Sequence, residues 1–449
     1  MTKPSLSDLT QSLLEAAKRA GAPAADAIAV DGRSVAIDVR EGRLEQAERS
    51  EGVEMGLRVL LGGKQACVSA SDISARTFEE MAQRAIAMAR EAPEDPFIGL
   101  ADPSQLTDRR DADGMELADP SAEPSAEALQ SDALEAEAAA LGVEGVTQVQ
   151  SASAAYSYRR VHVAASNGFA GGYDRSSRVV SAVAISGEGL GMERDWAAES
   201  RVFQSDLPTA QEIGRLAGER AAARANPRRP KTGAYPVLID ERVSGSLIGH
   251  LLSAVNGQAI CRGASWLRDA LDDQVLPDGL SLIEEPHRKR VSGSRPFDAE
   301  GLATARRAIV ENGVLKSWTL DLACARKLGL QSTANASRGT SSPPSPGIGN
   351  VTLTQGDKTR EELMAEMGTG LLVTSFIGAT INPNTGDYSR GASGFWVENG
   401  EPVYPVNECT IAGNLRDMLR SIRPANDARM HLSHIVPSLL LEGMTLAGD

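Results

Sequence analysis

Hydrophobic positions along this chain recur in two rhythms, and the places where one gives way to the other mark its elements. Leu6, Leu9, Leu13, Ala17 and Ala20 line one stripe of a helix over 6–20, with Lys18 and Arg19 in the last turn, where cations suit the helix dipole. The period then drops to two. Val35, Ile37 and Val39, and later Val53, Met55, Leu57 and Val59, alternate as half-buried strands do, with Glu41-Gly42 and Gly62-Gly63 as turns. Phe78, Met81, Ala82, Ala85 and Ala89 return to helical spacing over 77–90. Prolines among acidic and small residues make 91–124 an irregular connection. A helix is expected over 125–141, strands over 146–154, 160–166 and 179–187 turned at Asn167-Gly168 and Gly171-Gly172, and a helix over 210–225. Asn226-Pro227-Arg228-Arg229-Pro230 then breaks the chain.

Beyond the break, Val237, Leu238 and Ile239 read as a buried strand. The next helix shows Val243, Leu247, Ile248, Leu251, Leu252 and Val255 on its apolar face, Ser244 as the expected N-cap, and Gly257 past its end. Short strands and glycine turns dominate after Leu280. Among them is a hairpin in which Glu398-Asn399-Gly400 joins 395–397 to 402–404, and helices are expected over 321–328 and 359–367. The pattern predicts an α+β chain. N-terminal and central α+β domains span 1–115 and 125–226, and a β-rich C-terminal domain spans 232–449, with a curved, barrel-like antiparallel sheet that carries the His250 helix.

Composition removes several function classes. The 449 residues hold 46 basic against 60 acidic side chains, a net charge of −14, which argues against a nucleic-acid partner. No apolar run approaches the roughly 18 residues of a membrane helix. The start, MTKPSLSDLTQ, has no stretch that could serve as a signal peptide, so cytoplasm is the expected compartment. Cys67, Cys261, Cys324 and Cys409 form no CxxC pair and read as small buried residues.

Metal hydrolases often set two histidines on one helix face so that both reach one zinc ion. Counting back from His250, the positions such a helix would use hold Gly245, which offers no ligand, and Ser246, which offers no general base. Ser292-Gly293-Ser294 and Ser341-Ser342 lack a GxSxG elbow, and GEGLGMER (187–194) has the wrong spacing for a phosphate loop, so all three read as turns. The Ser-, Gly- and Pro-rich stretch 337–350 is expected as a long exposed loop that could line a binding cleft, which singles out Ser337, Arg338 and Gly339. Arg390, Gly391 and Gly394 precede a strand that could take up an extended peptide by edge pairing.

Three segments carry a family likeness: SGSLIGH (244–250), NGVLKSWTLDLACARKLGLQSTANASR (312–338) and INPNTGDYSRGASGFWVENGEPVYPVNECTIAGNLRDML (381–419). Together they resemble the TldD/PmbA family, on its PmbA (TldE) branch, over nearly the whole chain. The resemblance implies a bacterial cytoplasmic assembly in which a TldD-like and a PmbA-like subunit enclose a chamber where unfolded peptides are cleaved. TldD-like subunits carry HExxxH and a cysteine near the C-terminus. On this chain the second histidine falls on His250, the first on Gly245 and the glutamate on Ser246, and NDARMHLSHIVP holds no cysteine. The expectation is a subunit with no cofactor of its own, forming part of the peptide chamber, with zinc in a TldD-like partner. His250, His431 and His434 form a replacement ligand set to be tested, since the resemblance brings the C-terminal stretch near the helix. Alternatives are an active metallopeptidase with atypical ligands and a non-proteolytic peptide-binding modulator. Self-association as a homodimer without the partner is left open.

Overall fold

The computed structural model describes residues 4–449, so the first three residues of the start segment lie outside the described residues. Helix α1 (Leu6–Arg19) opens from a capping box in which Ser5 accepts from the backbone of Asp8 and Asp8 accepts from that of Ser5. Strands β1 (Ala24–Arg40), β2 (Arg43–Leu61) and β3 (Lys64–Ala70) form a meander, followed by helix α2 (Ala75–Glu91). Then come α3 (Ala126–Leu141), β4 (Val146–Ala165), β5 (Ala170–Ser186), β6 (Glu193–Arg201) and α4 (Ala210–Ala223). Strand β1 pairs antiparallel with β4 from Asp26↔Ala165 to Val39↔Ala152, so the strands make one six-stranded sheet ordered β3-β2-β1-β4-β5-β6. The two N-terminal regions therefore share a sheet. The odd-numbered residues of β1 face the helices: Ala25, Ala27 and Ala29 join the core under α1 and α2, and Val35, Ile37 and Val39 join that under α3 and α4.

Two expected strands, 146–154 and 160–166, are one continuous β4, and Gly171-Gly172 lies inside β5 rather than at a turn. The glycines serve close approach: the backbone N–H of Gly172 donates to the Arg110 carbonyl (2.8 Å), and a Cβ on Gly171 would press on Phe297. Glu193 and Arg194, read as part of a turn, begin β6.

The C-terminal half runs β7 (Gly233–Ile239), α5 (Glu241–Ala254), α6 (Gly257–Cys261), β8 (Leu282–Glu284), β9 (Arg307–Glu311), β10 (Val314–Leu315) and α7 (Leu322–Leu328). It continues with β11 (Ala336–Ser337), β12 (Ser345–Pro346), β13 (Val351–Leu353), α8 (Arg360–Met367), β14 (Gly370–Ile381), β15 (Asp387–Glu398) and β16 (Glu401–Asn414). The last elements are α9 (Leu415–Ser421), β17 (Arg423–Pro424), β18 (His434–Ile435) and β19 (Leu439–Ala447). Strands β16, β15, β14, β7 and β19 are neighbours in that order, and β19 pairs back onto β16, which closes a five-stranded barrel. One pairing is parallel, Leu371↔Val237 to Val373↔Ile239, because the long crossover between β7 and β14 brings the chain back in the same direction. Asn399 and Gly400, at φ 53° and 81°, make the tight turn between β15 and β16.

Three local expectations change. Helix α5 is capped by Asp240, and Ser244 lies buried within it. Gly257 opens α6 instead of ending α5. Strand β15 is bonded to β14 on one side and β16 on the other, so it has no free edge for a peptide; Gly394 serves instead the close passage of the Leu372 carbonyl.

The stretch expected as an exposed loop is what joins the two halves. Ala336 and Ser337 pair with Pro346 and Ser345, and the segment between lies on the even face of the N-terminal sheet. The Arg338 side chain is 0% exposed and ion-paired to Asp26, whose other oxygen takes Arg58 of β2. Thr340 Oγ1 donates to Glu54 Oε1 (2.6 Å), and a Cβ on Gly56 would overlap the Thr340 carbonyl. Phe297 completes the joint edge-on to Phe169, ring centroids 5.0 Å apart. Burial alone would raise the pKa of Asp26, but Arg338 and Arg58 overcome it and hold the carboxylate below its ordinary range. Asp26→Asn leaves two buried guanidiniums without an anion and should cost about 3–5 kcal/mol in denaturant unfolding. Glu79→Gln, which removes an exposed pairing with Arg19, should cost less than about 1 kcal/mol.

Candidate functional site

Helix α5 carries the residues singled out for metal chemistry. It starts where the Asp240 side chain accepts from the Arg242 N–H (3.2 Å), and its stripe of Leu247, Ile248, Leu251 and Leu252 enters the core shared with β7 and β14. His250, off that stripe, is half-buried. Its ring lies edge-on to Tyr388 at 5.8 Å, and its Nε2 is buried with no hydrogen-bond partner among the described residues. Burial, and after it the Arg390 guanidinium, push its pKa below the ordinary histidine value.

Ser246 donates its hydroxyl to the Val243 carbonyl (2.7 Å) and accepts from Arg390 Nη1 (3.2 Å). Arg390 arrives from β15, donates through Nε to the Gly378 carbonyl (2.7 Å) and stacks 4.3 Å over Phe376. At Gly245 nothing lies within 4 Å of where a Cβ would stand. The donors here are one imidazole and one hydroxyl committed to backbone, beside a fixed guanidinium. They do not fit a zinc ion, which needs three protein ligands and is repelled by a neighbouring cation. Among the described residues no group of three or more His, Cys, Asp or Glu is arranged to hold a metal.

The set His250, His431 and His434 is not assembled. The C-terminal stretch does reach α5, since Ser244 Oγ donates to the Val436 carbonyl (3.3 Å), but its histidines are engaged elsewhere. His431 Nε2 lies 3.4 Å from Glu199 Oε2 on β6 and 3.2 Å from Arg429 Nη2, and Arg429 is itself ion-paired with Glu199. Burial would raise Glu199, yet His431, Arg201 and Arg429 bring it down to about 2. His434, on β18, lies opposite Val351 of β13; burial lowers its pKa and a hydrogen bond to the Gly349 backbone partly offsets that.

Glu241, in the first turn of α5, escaped the reading of the sequence. Burial first of all, opposed by Arg429 and reinforced by Asp240 and Asp427, raises its pKa to about 7, and its Oε2 is buried without a partner among the described residues. No motif spacing marks it, because Glu241 and Arg429 meet only through folding. Ser337, Arg338 and Gly339 line a cleft of about 480 Å³ between the even face of the N-terminal sheet and the C-terminal half. Arg159, Arg175 and Arg295 line it too, and none of these was singled out. Arg390, Gly391 and Gly394 lie apart from it, on the barrel.

The His250 imidazole should titrate below about 6.5, the unperturbed histidine value, and Arg390→Gln should move it upward, read from the imidazole NMR shifts. The folded state binds this proton more weakly than the unfolded chain does. Its contribution to stability is therefore present above the unfolded pKa and lost as pH falls through the folded one. An unchanged titration in Arg390→Gln would remove Arg390 as a cause.

Comparison with known proteins matches this architecture along its length. Residues 25–89, 119–225 and 232–448 match, respectively, domain 1, the central domain and the C-terminal domain of the PmbA/TldA metallopeptidases. The chain is 36% identical to metalloprotease PmbA of Escherichia coli O157:H7, covering 92% of this chain and 90% of that protein. It is also 36% identical to a PmbA homologue of Haemophilus influenzae, covering 97% and 94%. A crystal structure from Bacteroides thetaiotaomicron, named as a candidate modulator of DNA gyrase, superposes with a TM-score of 0.92 at 28% identity over 100% of both chains. TldE from Thermococcus kodakarensis shares the fold, with a TM-score of 0.84 at 19% identity over 98% of this chain and 99% of that one. The chain belongs to the PmbA/TldD metallopeptidase family.

Proposed function

We propose that this chain is the non-catalytic, TldE-like subunit of a two-subunit peptidase, supplying part of the chamber that holds unfolded peptides while a TldD-like partner carries the zinc. The observation that carries this reading is the hydrogen bond from Arg390 to Ser246. It sets a guanidinium beside the position to which a metal helix assigns its general base, with a glycine where a ligand would stand. A hydrolytic site needs a carboxylate there to take the proton of the attacking water. His250, whose pKa burial and Arg390 push down, has one buried nitrogen to offer, and among the described residues no group of three or more His, Cys, Asp or Glu is arranged to hold a metal. Compartment and substrate follow the same reading: a cytoplasmic assembly acting on extended, unfolded chains.

The test is reconstitution. The chain alone should carry far less than one zinc per chain and should not cleave an unfolded casein-type substrate. Mixed with a TldD-like protein from the same genome, it should co-elute with it and raise its peptidase activity. Stoichiometric zinc in this chain, lost in His250→Ala, would favour the atypical-ligand metallopeptidase instead. Gly245→His with Ser246→Glu should fold, given the open space at Gly245, yet bind zinc weakly. Adding Arg390→Gln should tighten that binding by about tenfold or more, because it removes the repulsion of a nearby cation. Equal affinity with and without Arg390 would contradict the electrostatic part of the reading.

A further inference from the structure

We propose that the cleft between the N-terminal sheet and the C-terminal half binds a carboxylate of an extended peptide, with Arg159 as its principal anchor. The inference rests on the peptide-chamber reading and adds a chemical preference to it. The cleft, at about 480 Å³, falls within the roughly 300–1,000 Å³ of ligand sites. Its floor is apolar, from Ile28, Val161, Val163 and Phe297.

The chain as a whole is acidic, at −14, yet this cleft reverses the sign. On one side Asp26 is shared by Arg58 and Arg338, all three almost fully buried. On the other Glu284, whose side chain is 3% exposed, is shared by Arg295 (3.5 Å) and Arg307 (2.7 Å). Each trio has two guanidiniums for one carboxylate in a poorly hydrated place, so positive charge exceeds negative within the trio itself. Both trios also have spare donors: Arg338 Nη2 and Arg295 Nε are buried with no acceptor among the described residues. Buried positive charge without an anion is costly, and a bound carboxylate relieves it.

Two further arginines belong to the cleft. Arg175 spends its guanidinium on the carbonyls of Ser292 and Ser294, which satisfies its hydrogen bonds without neutralising its charge. Arg159 is exposed and lines this cleft and two adjoining hollows, and among the described residues its side chain makes no hydrogen bond or ion pair. A planar fork of free donors is the group that pairs a carboxylate bidentately.

The acids in the cleft do not cancel this. Glu54 accepts the Thr340 hydroxyl (2.6 Å), and Asp298 is turned inward onto the backbone N–H groups of Glu300 (2.9 Å), Leu302 (2.9 Å) and Ala336 (3.1 Å). Burial, against those three hydrogen bonds and the charge of Arg295, raises Asp298 to about 6, and burial beside Asp298 raises Glu300 well above its ordinary value. Along the lining Arg159, Arg175, Arg295 and Arg338 outnumber Glu54 and Asp298, so an incoming anion meets a field weighted toward arginine.

The carboxylate could be a peptide's C-terminus or an Asp or Glu side chain, and the assay separates the two. Four fluorescein-labelled Gly/Ser-rich peptides are titrated with the purified chain by anisotropy: one with a glutamate and an amidated C-terminus, one with no acid and a free C-terminus, one neutral and amidated, and one with a lysine and an amidated C-terminus. At least one carboxylate peptide should bind about tenfold tighter than the neutral one, and the advantage should shrink as salt rises. Which of the two wins identifies the source. Arg159→Gln, a change at an exposed side chain without partners, should leave the fold and the neutral peptide's affinity intact and abolish most of the preference. Equal binding of acidic, neutral and lysine peptides, or a preference that survives Arg159→Gln, would overturn the proposal while leaving a peptide-holding subunit in place. No binding of any peptide would remove both, whereas failure to co-elute with a TldD-like protein bears on the subunit reading alone.

Discussion

The two halves of this molecule are held in register by one buried anion. Asp26 sits near the start of β1, takes Arg58 from the neighbouring strand, and takes Arg338 from a segment more than three hundred positions later in the chain. An ion trio of this kind contributes little net stability compared with apolar packing of the same volume, but it is unforgiving of misplacement, because any slip strands a charge out of water. Around it the backbone comes close: β2 has no side chain at Gly56, so the 336–346 hairpin can lie flat on the sheet. The cleft exists because this clamp fixes the hairpin against the sheet on one flank while Phe297 packs beside Phe169 on the other.

The barrel is organised by the opposite logic. Closure through β16 and β19 leaves its strands bonded on both sides, so its surfaces are available and its edges are not. Helix α5 lies against it with one apolar face fully used, and the polar face shows His250 and Ser246 to Arg390. On the proposed reading, a side-chain cation stands beside the position to which a metal helix assigns its base. Arg390 is fixed at its Nε, at its Nη1 and over the Phe376 ring, so this polar face is ordered.

Much of this was legible in the chain itself. The helices α1 and α2 follow from the spacing of their apolar residues, and the structure adds their N-caps, Ser5 and Ser74. The Asn399-Gly400 turn and the barrel-like C-terminal sheet also follow from local pattern. Long-range pairing did not. Strand β4 looks broken around Tyr156–Arg160 because its alternation changes partners there, from the helices α3 and α4 to the C-terminal half, while the backbone runs straight on. The 337–350 stretch looks like a solvated loop because serines, glycines and prolines are silent about what they lie against, and the buried partner of Arg338, Asp26, lies far away in the sequence. Of the candidate site, Gly245, Ser246 and His250 could be found by counting along one helix. Arg159, Arg175, Arg295 and Glu241 could not, since no sequence spacing links them to the residues they meet.

The two electrostatic features of the molecule, Arg390 by the helix and the arginines of the cleft, are better understood together than apart. A chain with an excess of fourteen acidic charges gains solubility from its surface, and any long peptide with acidic character is repelled by that surface at distances comparable to the Debye length of about 8–10 Å. On the proposed reading, an interior weighted toward arginine would reverse that preference for a peptide once inside. In the proposed chamber, transfer would cost little where the carboxylate can be paired and more where it cannot, so charge rather than sequence would select position there. Backbone contacts cannot supply that selection, because every peptide offers the same N–H and C=O groups. A free guanidinium on a rigid strand can, and Arg159 is held by β4, which is paired to β1 and β5 along this stretch. Rigid placement is what separates an anchoring charge from a merely attractive one, because a side chain presented from a paired strand loses less freedom on binding than one on a loose loop.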